Sequence, residues 1–345
     1  PSQISKRDEP FKMLATTLGG DSFLGRVLTG RIESGTLKTG QNLKAISINN
    51  ELIENFRVNK ILAFRGLKQQ AIDSAEAGDI VSLAGMSKAT VADTIADQSV
   101  EDPIPAQPID PPTITVTFGI NDSPLAGRDG KKVQSRVIRD RLLKECESNV
   151  AIKMVDTPGG EAFDVSGRGE LQMGVLIENM RREGFELSIS RPRVIYKDVD
   201  GVKNEPIEEV TIDVDEEFSG AVIEKLSSRK GEMVDLKSSG SGKTRIIALV
   251  PSRGLIGYHS EFMTDTRGTG ILNRVFHSWS PHKGSIAGRR QGVLISMENG
   301  SSVAYAIFNL EERGKFFIGS GEEVYEGMII GEHNRDNDLE VNPLK

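Results

Sequence analysis

Phe23-Leu24-Gly25-Arg26-Val27-Leu28-Thr29-Gly30-Arg31-Ile32-Glu33-Ser34-Gly35-Thr36-Leu37-Lys38-Thr39-Gly40 sets glycines at 25, 30, 35 and 40 between β-branched and leucine positions. Short apolar runs cut by glycine predict tight turns joining the strands of a small barrel, and this texture runs from Phe11 to about Met86. Further on, Glu101-Asp102-Pro103-Ile104-Pro105-Ala106-Gln107-Pro108-Ile109-Asp110-Pro111-Pro112 carries five prolines between 103 and 112. Proline fixes φ and lacks an N–H donor, so the segment reads as an extended, stiff linker.

Beyond the linker the period changes. Thr113 to Ile120 alternates as a strand, and Lys131 to Ser148 places apolar residues at 133, 137, 138, 142, 143 and 146, the spacing of an amphipathic helix. Strands around Val150–Asp156 and Ala162–Val165 follow, joined through Pro158-Gly159-Gly160; a helix from Glu170 to about Glu183 stops near Gly184, and Phe185–Ser190 is a last strand. The order β-α-β-β-α-β is that of the split βαβ, or ferredoxin-like, unit. It recurs with a strand at Val210–Val214, a helix at Ser219–Ser228, strands at Met233–Leu236 and Thr244–Val250, a helix at Leu255–Thr264 and a strand at Leu272–Phe276. From Pro281 on, Gly292–Ser296, Val303–Phe308 and Tyr325–Gly331 read as short strands with glycine turns, and no closing element is evident before Lys345.

A chain of 345 residues with 37% hydrophobic content can bury several cores. It contains no run of about 18 apolar residues and no signal-peptide apolar core behind Pro1–Arg7, which predicts a soluble, cytoplasmic protein without membrane partners. The lone Cys146 excludes an intramolecular disulfide and any thiolate-rich metal site; among apolar helix positions it reads as a packing residue. A formal net charge of −7 argues against uniform coating of nucleic acid, so any RNA contact must use local patches.

Three fragments imitate a nucleotide site. Gly242-Lys243-Thr244 has the tail of a phosphate loop, but Lys237 stands where the pattern needs glycine and Arg245–Val250 reads as a strand, leaving no helix N-terminus to meet a phosphate. Asp156-Thr157-Pro158-Gly159 reads as a hairpin turn, and Asn59-Lys60 lacks an aspartate at position 62, which is leucine. Of the histidines only His277 and His282 are close, and no acidic or cysteine partner flanks them at metal-ligand spacing. Asp213 and Asp215 alternate with Val210, Ile212 and Val214, as on a solvated sheet face rather than in an acid/base pair. No catalytic, cofactor-binding or metal-binding residue is assigned.

Basic residues are more informative. Between Arg253 and Lys315 eight Lys/Arg face five Asp/Glu, and several of the cations sit beside glycine, in Ser252-Arg253-Gly254, Thr266-Arg267-Gly268, Gly288-Arg289-Arg290 and Arg313-Gly314-Lys315. Loop-borne cations can hold phosphates without base specificity. Composition alone weighs that reading and ordinary solvated surface charge equally.

The glycine-rich stretch at 25–40, with Ala75-Glu76-Ala77-Gly78-Asp79-Ile80-Val81, resembles the second, β-barrel domain of translational GTPases. Ser166-Gly167-Arg168-Gly169-Glu170-Leu171-Gln172 resembles the start of the second helix in the third domain of elongation factor G. Pro251-Ser252-Arg253-Gly254-Leu255-Ile256-Gly257, Gln291–Ser296 and Gly321–Gly331 narrow the resemblance to the BipA/TypA family, over essentially the whole chain.

The resemblance implies a multidomain β and α+β chain. Its parts are an elongation-factor-type β-barrel at 1–105, two ferredoxin-like βαββαβ domains at 110–192 and 205–280, and a β-rich, incomplete C-terminal domain at 281–345. It further implies that the GTPase domain, with its GTP and magnesium, is not in this chain, so that the chain is no enzyme by itself. The expected role is docking on the ribosome, with contact to rRNA of both subunits and to tRNA, as a monomer, in support of ribosome assembly or translation under stress. Arg253, Arg267, Lys283, Arg289, Arg290, Arg313 and Lys315 are the RNA-contact candidates, from local charge and the domain they fall in. The rivals are a portion of elongation factor G or LepA, a nucleotide hydrolase using Gly242-Lys243-Thr244, and a protein scaffold with no RNA role.

Overall fold

A computed structural model of the chain describes residues 6–345 apart from 22, 67, 108, 239–241 and 287–290. These fall into two compact units, Pro1–Ile120 with Gln134–Arg193 and Asn121–Val133 with Val194–Lys345.

In the first unit, eight strands from Lys12–Asp21 to Thr94–Ala96 form one antiparallel sheet whose ends are Leu52–Arg57 and Lys68–Ile72. Phe56 and Ile72, from the two end strands, enter the same core as Leu28, Ile32, Leu43, Ile61 and Leu83, so the sheet curls round its own side chains in barrel fashion. Three of the four glycines that suggested turns, Gly25, Gly35 and Gly40, have positive φ. Gly30 has another role. It lies inside the strand Gly25–Ser34, where an added Cβ would fall 2.1 Å from the Leu14 carbonyl oxygen, so close strand approach demands glycine there.

The first α/β sheet runs Lys153–Asp156, Ala162–Gly167, Ile114–Ile120, Leu187–Ile189, all antiparallel. Alternate residues Ile114, Val116 and Phe118 are buried, as are Phe163 and Val165 of the neighbouring strand. The helices Ser135–Ser148 and Glu170–Arg182 bury Ile138, Leu142, Met173, Leu176 and Met180. The first helix begins four residues later than its apolar spacing suggests. Burial, then the neighbouring Glu145 charge, raises the half-buried Cys146 thiol and keeps it protonated.

In the second unit the 14-residue strand Val202–Asp215 is central, paired with Lys243–Pro251 on one side and Ile271–Pro281 on the other. Glu232–Ser238 lies outside Lys243–Pro251, which gives the same strand order as the first α/β sheet. Val210, Ile212, Val214, Val222, Leu226, Ile246, Tyr258 and Phe262 form its core. The helix expected over 255–264 is two helices, Ser252–Leu255 and Tyr258–Asp265, parted at Gly257 with φ 73°. Lys243 opens a strand, so the Gly242-Lys243-Thr244 fragment stands in no phosphate-loop context.

The last sheet runs Gly314–Phe316, Ile329–His333, Val293–Ser296, Leu339–Val341, its final pair parallel. Two sequence readings change here. Val303–Phe308, read as a strand, is the helix Ala304–Leu310, which continues into the 3₁₀ turn Glu311–Arg313. Nearly every residue of that segment is apolar, so periodicity does not separate the two forms, and alanine at 304 and 306 favours helix. Leu339–Val341 is the closing strand that the sequence did not reveal; Val341 joins Leu294, Val324 and Ile330 in the core.

Candidate nucleic-acid interface

Arg253 follows directly from the strand Lys243–Pro251, in the short helix Ser252–Leu255. Its guanidinium clasps the fully buried carboxylate of Glu205 through Nε and Nη2, and Nη2 also donates to the Gly284 carbonyl. The Lys283 N–H donates to the same carboxylate at 2.8 Å. Burial alone would raise the Glu205 pKa, but the Arg253 hydrogen bond, the Lys283 amide and the charges of Arg253 and His282 outweigh it and hold the carboxyl below the usual carboxylate range. Gly254 completes the turn: its carbonyl accepts from Arg229 Nη1 at 2.8 Å, and an added Cβ would stand 2.8 Å from the Arg229 carbonyl oxygen.

Lys283 extends its ammonium to Glu232, 2.8 Å away. Arg253 and Lys283 are thus both committed to carboxylates of this unit, where they fasten the segment after the strand Ile271–Pro281 back onto the sheet.

Arg267 occupies a positive-φ position, 50°, just after the helix Tyr258–Asp265; it is exposed, with its guanidinium 5.6 Å from the Phe218 ring centroid. Arg313 ends the 3₁₀ turn and Lys315 lies in the strand Gly314–Phe316, opposite Glu332. Both are exposed, and neither forms a salt bridge among the described residues. The Asn334 N–H donates to the Arg313 carbonyl at 2.8 Å, fixing this corner of backbone against the sheet. Arg289 and Arg290 lie outside the described residues.

Sequence reading missed how much positive charge is used internally. Lys225 Nζ lies 2.6 Å from both Glu261 and Asp265, and Arg229 binds Glu261 while its guanidinium sits 4.8 Å from the Tyr258 ring centroid. Arg245 chelates Asp213 across the sheet through two hydrogen bonds of 2.7 and 2.8 Å. Each pair joins residues far apart in sequence, so no local motif announces it.

Residues 25–96 match the family described as elongation factor Tu domain 2, residues 202–290 the elongation factor G C-terminus, and residues 291–345 the TypA/BipA C-terminal domain. A curled β-sheet domain, α/β sheets of elongation factor G type and a β-rich last domain, in that order, define the architecture of a translational GTPase from its second domain onward. Within that class the chain belongs to the BipA/TypA family. It is 48% identical over 346 residues to the "Large ribosomal subunit assembly factor BipA" of Bacillus subtilis (strain 168), covering 100% of this chain and 56% of that protein. The proteins of the same description from Escherichia coli (strain K12) and Haemophilus influenzae are 47% and 46% identical, over 98% of this chain and 56% and 55% of theirs. The chain therefore spans about half the length of the curated relatives it matches. Among the described residues no helix is long and apolar enough to cross a membrane.

Proposed function

We propose that this chain is a ribosome-docking portion of a large-subunit assembly factor and that it holds ribosomal RNA through exposed loop cations, with no bond-making chemistry of its own. Arg313 and Lys315 carry this reading. They stand exposed at a backbone corner fixed by the Asn334 hydrogen bond, in a molecule that commits Arg253, Lys283 and Arg245 to its own carboxylates. An exposed cation with no internal partner gives up little on meeting a phosphate, whereas Arg253 would leave the fully buried Glu205 carboxylate uncompensated, and Arg245 and Lys283 would each give up a surface ion pair. Arg267 joins the set, as does the Arg289-Arg290 pair on sequence grounds. Similarity along the whole chain to proteins described as large ribosomal subunit assembly factors supports the choice of RNA.

The wider expectations belong to the same proposal: contact with rRNA of both subunits and with tRNA, action as a cytoplasmic monomer, and any GTP or magnesium chemistry carried by residues other than these. The test is co-sedimentation with purified large and small subunits across a salt series, comparing the chain with Arg313→Ala/Lys315→Ala and Arg289→Ala/Arg290→Ala variants. Salt-sensitive pelleting that weakens in each double variant, with unchanged thermal unfolding, is expected. Absence of pelleting at low salt, or pelleting indifferent to all four substitutions, overturns the proposal.

A further inference from the structure

The first unit contains a cleft that the loop-cation reading does not use. It opens on the two-stranded ribbon of Asn42–Ile46 and Leu52–Arg57, with a volume of about 200 Å³. Lys44 and Asn55 are direct cross-strand partners, so they stand side by side on one face. A register shift between Ala45 and Ile46 then sets Leu52 opposite Ile46, and these two supply the apolar wall. Asn50, at φ 63° in the turn, closes one end. Gln98 and Glu101, just beyond the strand Thr94–Ala96, close the other.

The chemistry of this lining is unspent. Among the described residues the side chains of Lys44, Asn50, Asn55, Gln98 and Glu101 make no hydrogen bond or ion pair. Lys44 is half-buried and, among the described residues, forms no ion pair, so its ammonium is available to an incoming anion. Each of the three carboxamides offers donors and an acceptor in one plane, and Glu101 offers acceptors only. One cation, several planar amides and an aliphatic wall, in a space below the roughly 300–1,000 Å³ of drug-sized sites, suit one small planar group carrying a nearby anion.

We infer that this cleft takes a single unstacked nucleotide of ribosomal RNA, with its phosphate on Lys44, its base edge on the amides and its flat face against Leu52. This deepens the docking reading and rests on it. Carboxamides and carboxylates are among the side chains that read base edges, and recognition of splayed-out bases is the usual way proteins specify RNA sequence. A carboxylate accepts from exocyclic amino groups, which guanine, cytosine and adenine carry and uracil lacks, so Glu101 selects against uracil.

The test is a methyl NMR titration of the intact chain, labelled at isoleucine and leucine methyls, with GMP, CMP, AMP and UMP in turn. Saturable shifts at Ile46 and Leu52 are expected for GMP, CMP and AMP, with binding about tenfold weaker for UMP and for Asn55→Ala or Lys44→Ala protein, the loss of one good base or phosphate contact. Unchanged methyl signals elsewhere show that the variants remain folded. Absence of any shift, or equal shifts with all four nucleotides that survive both substitutions, overturns the site. So does a response to an amide-rich peptide but not to nucleotides, which assigns the cleft to a protein partner. Failure here with ribosome pelleting intact leaves the docking reading standing, whereas lost pelleting with the methyl shifts present refutes that reading and not the cleft.

Discussion

Glu205 shows how one residue can matter to a surface without touching it. Its carboxylate is fully buried at the start of the strand Val202–Asp215 and is satisfied by Arg253 and by the Lys283 amide. Removing one partner of such a pair leaves the other charge uncompensated, so Arg253→Ala is expected to cost about 3–5 kcal/mol in unfolding free energy of the second unit, measured by denaturant titration. Arg253→Lys restores little, because an ammonium cannot reproduce the two-point clasp. The pH dependence has a definite sign. The Glu205 carboxyl is held below its ordinary 4.5, so the ionised pair contributes its full stability above that value and loses it as pH falls through the depressed pKa. Unfolding midpoints of the wild type and Glu205→Gln are expected to lie well apart at neutral pH and to converge below pH 4.5; parallel curves would show that the carboxylate is not ionised in the fold.

Among elements, the helix Ala304–Leu310 offers the sharpest test, because a strand and a helix would bury different residues of the same segment. A strand would place 304, 306 and 308 on one face. The helix instead buries Ala306 completely and leaves Tyr305 73% and Phe308 70% exposed. Phe308→Ala is therefore expected to change stability by no more than about 0.5 kcal/mol, while Ala306→Leu costs about 1–3 kcal/mol by overpacking. A large loss on Phe308→Ala, read by thermal unfolding, would reinstate the strand. Both βαββαβ units were legible because their helices alternate polar and apolar residues with period 3.6 and their strands with period 2. Where apolar residues run together, as at 303–308, the period is silent. Where a strand is three residues long, as at Leu339–Val341, only pairing with Val293–Ser296 defines it. Candidate sites followed the same rule: residue type and glycine context pointed to Arg313 and Lys315, but whether a cation is already spent depends on a distant partner, as Glu205 is to Arg253.

At the scale of the molecule, the charge excess is negative while the proposed partner is a polyanion. With 43 basic against 50 acidic residues, long-range attraction to RNA is weak, and approach is driven by local groups acting within about 10 Å, the screening length near 0.1 M salt. Ion pairs in the second unit reduce the available cations further, since Arg253, Lys283, Lys225, Arg229 and Arg245 all lie on carboxylates. Only cations that exchange mobile counterions for phosphate contribute to the salt dependence of binding, each adding about one to the slope of log affinity against log salt. Arg313→Ala/Lys315→Ala is thus expected to lower that slope by about two, and Lys283→Ala, whose ammonium is held by Glu232, to leave it unchanged. Fluorescence-detected binding to purified large subunits between low and moderate salt measures both. If Lys283→Ala flattens the slope as much as the double variant does, the pair with Glu232 opens on binding, and internal ion pairs cannot be used to separate docking cations from structural ones.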